Sequence, residues 1–122
     1  MKLKLLDPHF TVCQVPDLGA VNLDAPFCFA ARTDEECSLV CPEEHVPECA
    51  LTRENGWRAM RIEGVLDFSL VGILAQLANT LAEQQIPIFA VSTYNTDYVL
   101  IKQEKLSAAV RSLEAAGWTF EK

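Results

Sequence analysis

The chain has little positive charge: 10 Lys and Arg stand against 17 Asp and Glu, for a formal net charge of −7. A nucleic-acid-binding surface needs clustered Lys and Arg to displace counterions, so the composition argues against that class of partner. Long apolar runs are also missing. No window approaches the roughly 18 uninterrupted apolar residues of a membrane span, and no membrane partner is expected. The opening residues, Met1 to Pro8, lack the apolar stretch of a signal peptide, which makes a cytoplasmic location the expectation. Histidine is scarce. His9 and His45 both lie near prolines in the loop-rich first half, whereas a Ser–His–Asp or Cys–His device needs an imidazole held on its nucleophile. Gly-x-Ser-x-Gly, phosphate-loop and dinucleotide fingerprints are absent. A protein with no catalytic residues is the expectation.

What is present is ordinary globular composition, half of it hydrophobic. At 122 residues the chain makes one compact unit, or two very small ones sharing a core, and buries roughly two thirds of its unfolded surface. The charge is uneven. Residues 1–56 hold 4 basic and 10 acidic side chains and residues 57–122 hold 6 and 7, so the acidic excess lies in the first half, as in Asp34-Glu35-Glu36 and Glu43-Glu44. A solvated acidic face is the expectation, with a docking surface for a basic partner as the alternative. All five cysteines (Cys13, Cys28, Cys37, Cys41, Cys49) are in that half too. Their number is odd, and reduced thiols are expected. Cys37, Cys41, His45 and Cys49 recur every four residues and are zinc-ligand types. Pro42 and Pro47 prevent the continuous helix that would align them, so small thiols buried in strands are expected, with no metal and no cofactor.

The second half is the more legible. Trp57 to Glu63 alternates roughly polar and apolar, as a half-buried strand does. Asp67 and Ser69 are good N-cap types ahead of Leu70, Ile73, Leu74, Leu77, Ala78 and Leu81, whose spacing predicts an amphipathic helix from about 70 to Gln84. Ile88 to Val91 is apolar on both faces, as in a covered strand. Tyr98 to Lys102 is the next strand. Leu106, Ala109, Val110 and Leu113 mark a second helix, and Gly117 stands at the C′ position beyond it. Trp118 to Phe120 completes a βαββαβ order. In one antiparallel sheet with two helices on one face that is a ferredoxin-like α+β sandwich. In the first half Phe10 to Val15, Phe27 to Arg32 and Ser38 to Cys41 read as short strands, punctuated by Pro16, Gly19, Asn22, Asp24 and Pro26. Residues 49–57 read as the seam between the halves.

The order βαββαβ, together with Ile88-Phe-Ala-Val-Ser-Thr-Tyr-Asn-Thr-Asp-Tyr-Val-Leu-Ile101, resembles the ACT domain, most closely the subgroup in the CASTOR arginine sensors and the regulatory parts of aspartate kinases. Phe68 to Ala75 and Leu106 to Val110 fit the same alignment. The resemblance implies a degenerate, β-rich ACT-like half at 1–56 and an ACT domain at 57–122. It implies a regulatory module that binds an amino acid at ACT–ACT interfaces, not an enzyme. A homodimer would restore the unit count of the longer sensors. The ligand-facing positions carried over are Asp67, Phe68, Ser69, Leu70, Val71 and Gly72, and, at the strand end and turn, Ser92, Thr93, Tyr94, Thr96 and Asp97. The frequent Asp-x-x-Pro-Gly loop is not reproduced: Gly72 follows Asp67 by five residues without proline.

The chemistry of those positions suits a zwitterion. A helix start offers unpaired N–H groups and the positive end of a dipole to a carboxylate. A strand end with hydroxyls and carbonyls, together with Asp97 or Asp67, suits an ammonium or a cationic side chain. Gly72 permits close approach to the helix backbone. A homodimeric interaction module with a vestigial pocket is the alternative from a different class.

Overall fold

Two long strands organise the backbone. In a computed structural model that describes residues 1–67 and 71–121, β1 spans Lys2–Gln14 and β4 spans Thr52–Ile62. Between them lie β2 (Phe29–Arg32) and β3 (Cys37–Pro42). After β4 come α1 (Ile73–Glu83), β5 (Phe89–Ser92), β6 (Asp97–Lys102), α2 (Leu106–Ala115) and β7 (Thr119–Glu121). The chain forms two compact units, one of residues 1–7 and 58–122, the other of residues 8–57. Both β1 and β4 therefore contribute to each unit, and the 56/57 boundary read from the sequence falls inside β4.

The first unit runs β4-α1-β5-β6-α2-β7, the order read from the sequence, with strands arranged β7-β1-β4-β6-β5. One feature differs from that reading. The sheet is not wholly antiparallel, because Lys2, Leu3 and Lys4 of β1 pair in parallel with Thr119, Phe120 and Glu121 of β7. The alternation Lys2-Leu-Lys-Leu5 is a strand signal of its own. Leu3 from this inserted strand joins Met60, Ile62, Val99 and Ile101 in a core closed by Leu77 and Leu81 of α1 and Leu113 of α2. Leu77 and Leu81 are four positions apart, as are Ala109 and Leu113, and all four are fully buried, as an amphipathic face against a sheet requires.

Both helices end in the same six-residue cap. Trp118 N–H donates to Leu113 O at 3.0 Å and Gly117 N–H to Glu114 O at 3.1 Å, the paired bonds of a Schellman motif around Gly117 at φ +99°. After α1 the bonds are Ile86 N–H to Leu81 O (3.0 Å) and Gln85 N–H to Ala82 O (2.9 Å). Here a glutamine holds the left-handed position, at φ +58°.

The start of α1 departs from the sequence expectation. The helix begins at Ile73 rather than near Leu70, and its N-cap is Gly72 at φ +84°, with no side-chain cap. A left-handed residue cannot continue a helix towards its N-terminus, so α1 starts after Gly72. Asp67, expected as a capping residue, is not the N-cap. Phe68, Ser69 and Leu70 lie outside the described residues. The strand expected at Trp57 starts earlier, at Thr52.

The second unit has strand order β2-β3-β1, with β4 beside β1. Its core is Cys13, Val15, Cys37, Leu39 and Cys41, covered by Leu18, Val21, Cys28, Val46 and Ala50. The β2–β3 hairpin repeats the β5–β6 hairpin at a constant offset of 60 residues. Phe29 faces Val40 as Phe89 faces Leu100, and Arg32 faces Cys37 as Ser92 faces Asp97. The turns match too: Thr33 N–H donates to Glu36 O and Thr93 N–H to Thr96 O, both at 2.9 Å. A short 3₁₀ turn follows each hairpin, at Glu43–His45 and Gln103–Lys105.

Candidate functional site

The turn between β5 and β6 is braced by several hydrogen bonds. Thr93 Oγ1 joins its own N–H in donating to Thr96 O, at 3.1 Å. Thr96, only 6% exposed, donates its hydroxyl to Ile62 O at the end of β4 at 2.7 Å. Leu66 N–H donates to Asn95 O, also at 2.7 Å. Three chain segments are thereby tied together. At the mouth of the hairpin Ser92 Oγ donates to Asp97 Oδ1 at 2.5 Å, a short bond of the kind a carboxylate acceptor gives.

These residues form one wall of an open cavity of about 290 Å³. The opposite wall is Leu66, Asp67 and the first residues of α1, Gly72 to Ala75. Of the positions singled out in the sequence, Asp67, Gly72, Ser92, Thr93, Tyr94, Thr96 and Asp97 share this cavity. Val71 is 90% exposed and does not line it. The calls on Phe68, Ser69 and Leu70 lie outside the described residues. Leu66, Ile73, Leu74, Ala75 and Asn95 line the cavity without having been singled out. Ile73 and Leu74 carried a signal that pointed elsewhere, to the core face of α1. Both are half-buried and serve core and cavity at once. Leu66 and Asn95 are joined through backbone atoms, which leaves no mark in the side chains.

The cavity has two polarities. On one side the first turn of α1 has no side-chain cap, and Gln76 N–H donates to Gly72 O at 2.8 Å as the first helical bond. The N–H groups of that turn and the positive end of the helix dipole suit an anion. Gly72 serves this in a way the sequence reading did not specify. A Cβ there would meet nothing within 4 Å, so the requirement is its positive φ. On the other side are the Asp97 carboxylate, the Ser92 and Thr93 hydroxyls and the turn. Among the described residues, two carboxylates and no Lys, Arg or His line the cavity.

The second unit carries a counterpart. A cavity of about 330 Å³ is lined by Arg32, Thr33, Asp34, Glu35, Glu36 and Cys37, the positions 60 residues before Ser92 to Asp97, together with Gln14, Val15, Pro16 and Leu51. Among the described residues, its lining includes none from α1 or α2. Glu36 accepts from Ser38 Oγ at 2.6 Å and Gln14 Nε2 at 3.2 Å, and these bonds hold its carboxyl below the usual carboxylate range.

Comparison with known proteins follows the same lines. A family model described as the ACT domain matches residues 52–115. The rat protein named cytosolic arginine sensor for mTORC1 subunit 1 is 36% identical over 103 residues, which is 79% of this chain but 31% of that protein. This chain therefore spans less than a third of that relative's length. A crystal structure of an Agrobacterium tumefaciens protein superposes with a TM-score of 0.86 at 26% identity, over 98% of this chain and 91% of that one. The ligand-free regulatory subunit of aspartate kinase from Thermus thermophilus superposes with a TM-score of 0.65 at 14% identity, over 94% and 96% of the two chains. That last likeness is one of fold alone.

Proposed function

Because the chain belongs to the ACT domain family, we propose that it is a regulatory amino-acid sensor whose ligand lies between the start of α1 and the Ser92–Asp97 turn. The observation that carries this reading is the pairing, in one cavity, of an uncapped helix start with a carboxylate-bearing, internally braced turn. The ligand carboxylate takes the N–H groups at Ile73 to Ala75, and its ammonium or cationic side chain takes Asp97, with Asp67 as the second carboxylate of the lining. Phe68, Ser69, Leu70 and Val71 remain in the proposed contact set on the family resemblance. The excess of carboxylates in the lining supports an amino acid with a basic side chain. Similarity to a cytosolic arginine sensor supports the same choice, and a cytosolic location with it.

The proposed output is an ACT–ACT interface in a homodimer. Val65, Val71 and Tyr94, which are 74%, 90% and 78% exposed, flank or line the cleft, and a second copy would remove this apolar surface from water. A ligand shared by that interface shifts the assembly only as far as it binds the two states unequally. Residues 8–57 are proposed as a degenerate ACT repeat, a reading supported by the 60-residue offset of the hairpins. A regulatory rather than catalytic role is part of the same proposal, supported by the similarity to an arginine sensor.

A thermal-shift panel of the common amino acids tests this. A ligand at 100 times its Kd stabilises by roughly 2.7 kcal/mol. The expected result is a shift with arginine or lysine that is lost in Asp97→Asn, together with a dimer mass in solution. A stable dimer that no amino acid shifts would overturn the sensing reading in favour of an interaction module with a vestigial pocket.

A further inference from the structure

The cysteines are absorbed by none of the above, and their placement is not random. Cys13, Cys37 and Cys41 are buried in the core of the 8–57 unit, Cys28 is half-buried against them, and Cys49 is exposed. Cys13 stands opposite Leu39 in the β1–β3 register, and Cys41 is two residues along β3 from Leu39. Both thiols therefore share a sheet face. Connecting segments cover the cluster these thiols share with Val15 and Leu39, and Leu18, Val21, Val46 and Ala50 pack against it. Cys49 directly precedes Ala50. The Leu51 N–H then donates at 2.8 Å to the carbonyl of Gln14, the residue after Cys13. An exposed thiol is thus carried on a short covering segment fastened beside a buried one.

We propose that Cys49 and Cys13 form an oxidant-responsive thiol pair, Cys49 as the accessible nucleophile and Cys13 as the resolving thiol, with small disulfides such as glutathione disulfide as co-reactant. The Cys49 thiolate attacks one sulfur of glutathione disulfide, whose S–S bond breaks and releases one glutathione thiolate. Cys13 then gives its proton to solvent and attacks Cys49 Sγ, expelling the second glutathione. Two protein thiols are oxidised to one disulfide, and one glutathione disulfide is reduced to two thiols. The product closes the chain between residues 13 and 49 and pins the covering segment to the sheet. Burial, the largest influence, raises the Cys13 thiol above its usual range. The Cys28 and Cys49 thiols add to that, and Arg53 on β4 opposes it. The second step therefore accelerates as pH rises through the alkaline range, because only a thiolate attacks.

The test uses the full reduced chain with glutathione disulfide, free-thiol counting and peptide mapping by mass spectrometry. The expected product has lost two free thiols and carries a Cys13–Cys49 linkage without bound glutathione. Cys49→Ser abolishes both adduct and linkage. Cys13→Ser, with Cys13→Ala as the apolar check on folding, accumulates a stable glutathione adduct on Cys49. A wild-type chain that stays fully reduced or stops at the adduct would overturn the proposal. So would a linkage mapping to another pair, or surviving in Cys49→Ser.

Discussion

Replacing Thr96 by valine probes the brace on which the cleft depends. Valine keeps the shape and the β-branch but exchanges the hydroxyl for a methyl. The side chain is 6% exposed and its Oγ1 bond to Ile62 O is 2.7 Å, so water has no ready route to replace it. The loss is therefore more than the net value of one exchanged hydrogen bond, about 1 kcal/mol. It approaches the roughly 1–3 kcal/mol of a buried partner left short of a bond. A destabilisation of about 1–2 kcal/mol is expected in denaturant titration. For a chain of this size that lowers Tm by roughly 4–8 °C. Thr93→Val, at an exposed position of the same turn, is expected to cost less, because solvent reaches the vacated groups. On the proposed reading the tie also serves binding. Thr96 O holds Thr93 in place, so the affinity of any ligand in the cleft should fall in Thr96→Val alongside stability. Stability within about 0.5 kcal/mol of wild type would refute the claim that the turn is held through Ile62, since that is the range of ordinary surface changes.

Two further outcomes follow from backbone strain and thiol burial. Gln85→Gly should stabilise the chain by about 0.5–1 kcal/mol: a left-handed L-residue costs roughly 1–2 kcal/mol, part of which glycine returns through its greater unfolded freedom; a lower Tm in a melting curve would contradict this. Burial, with the neighbouring Cys13 and Cys28 thiols, pushes the Cys41 thiol up to about 12. Its pKa is raised in the folded chain, so its contribution is complete below the ordinary thiol range near 9 and is lost as pH climbs from there towards 12. Melting temperature should therefore fall across that window under reducing conditions, and less steeply in Cys41→Val. Equal slopes would count against it.

Much of the first unit was legible because its helices obey one period. Leu77, Leu81, Ala109 and Leu113 are fully buried where the spacing put them, and Gly117 ends α2 as its position implied. The helix start was misplaced because hydrophobic spacing reports which face is buried, not where helical dihedrals begin, and Gly72 interrupts the pattern at φ +84°. The early part of β4 was missed for a different reason. Thr52 to Asn55 are exposed, so no alternation of apolar residues announces a strand. The cleft was half legible. Hydroxyls and Asp97 at a strand end are visible in side-chain chemistry, whereas Leu66 and Asn95 meet through backbone atoms. The hairpin offset of 60 residues stayed hidden because it preserves register and turn bonding more than identity.

That offset bears on how many ligands one chain holds. In β6, Val99 and Ile101 are fully buried, and burying them draws Leu77, Leu81 and Leu113 from two helices. Sixty residues earlier the same positions are Leu39 and Cys41, a cysteine in place of isoleucine, and the cluster is completed by Val15 and two more small residues, Cys13 and Cys37. A face with less apolar area can be covered by short segments instead of helices. The consequence reaches the turn. Opposite Ser92 to Asp97 stands the start of α1, with N–H groups that suit a carboxylate; among the described residues the cavity at Arg32 to Cys37 is lined by none from α1 or α2, and the acidic Asp34, Glu35 and Glu36 are exposed. The same turn thus lines two clefts of different electrostatic character, and a zwitterion that satisfies one does not satisfy the other. Calorimetric titration with a ligand that shifts Tm should accordingly give one equivalent per chain, abolished by Asp97→Asn and unchanged by Arg32→Ala. Two equivalents, or a loss on Arg32→Ala, would mean that the helix start is not the deciding element.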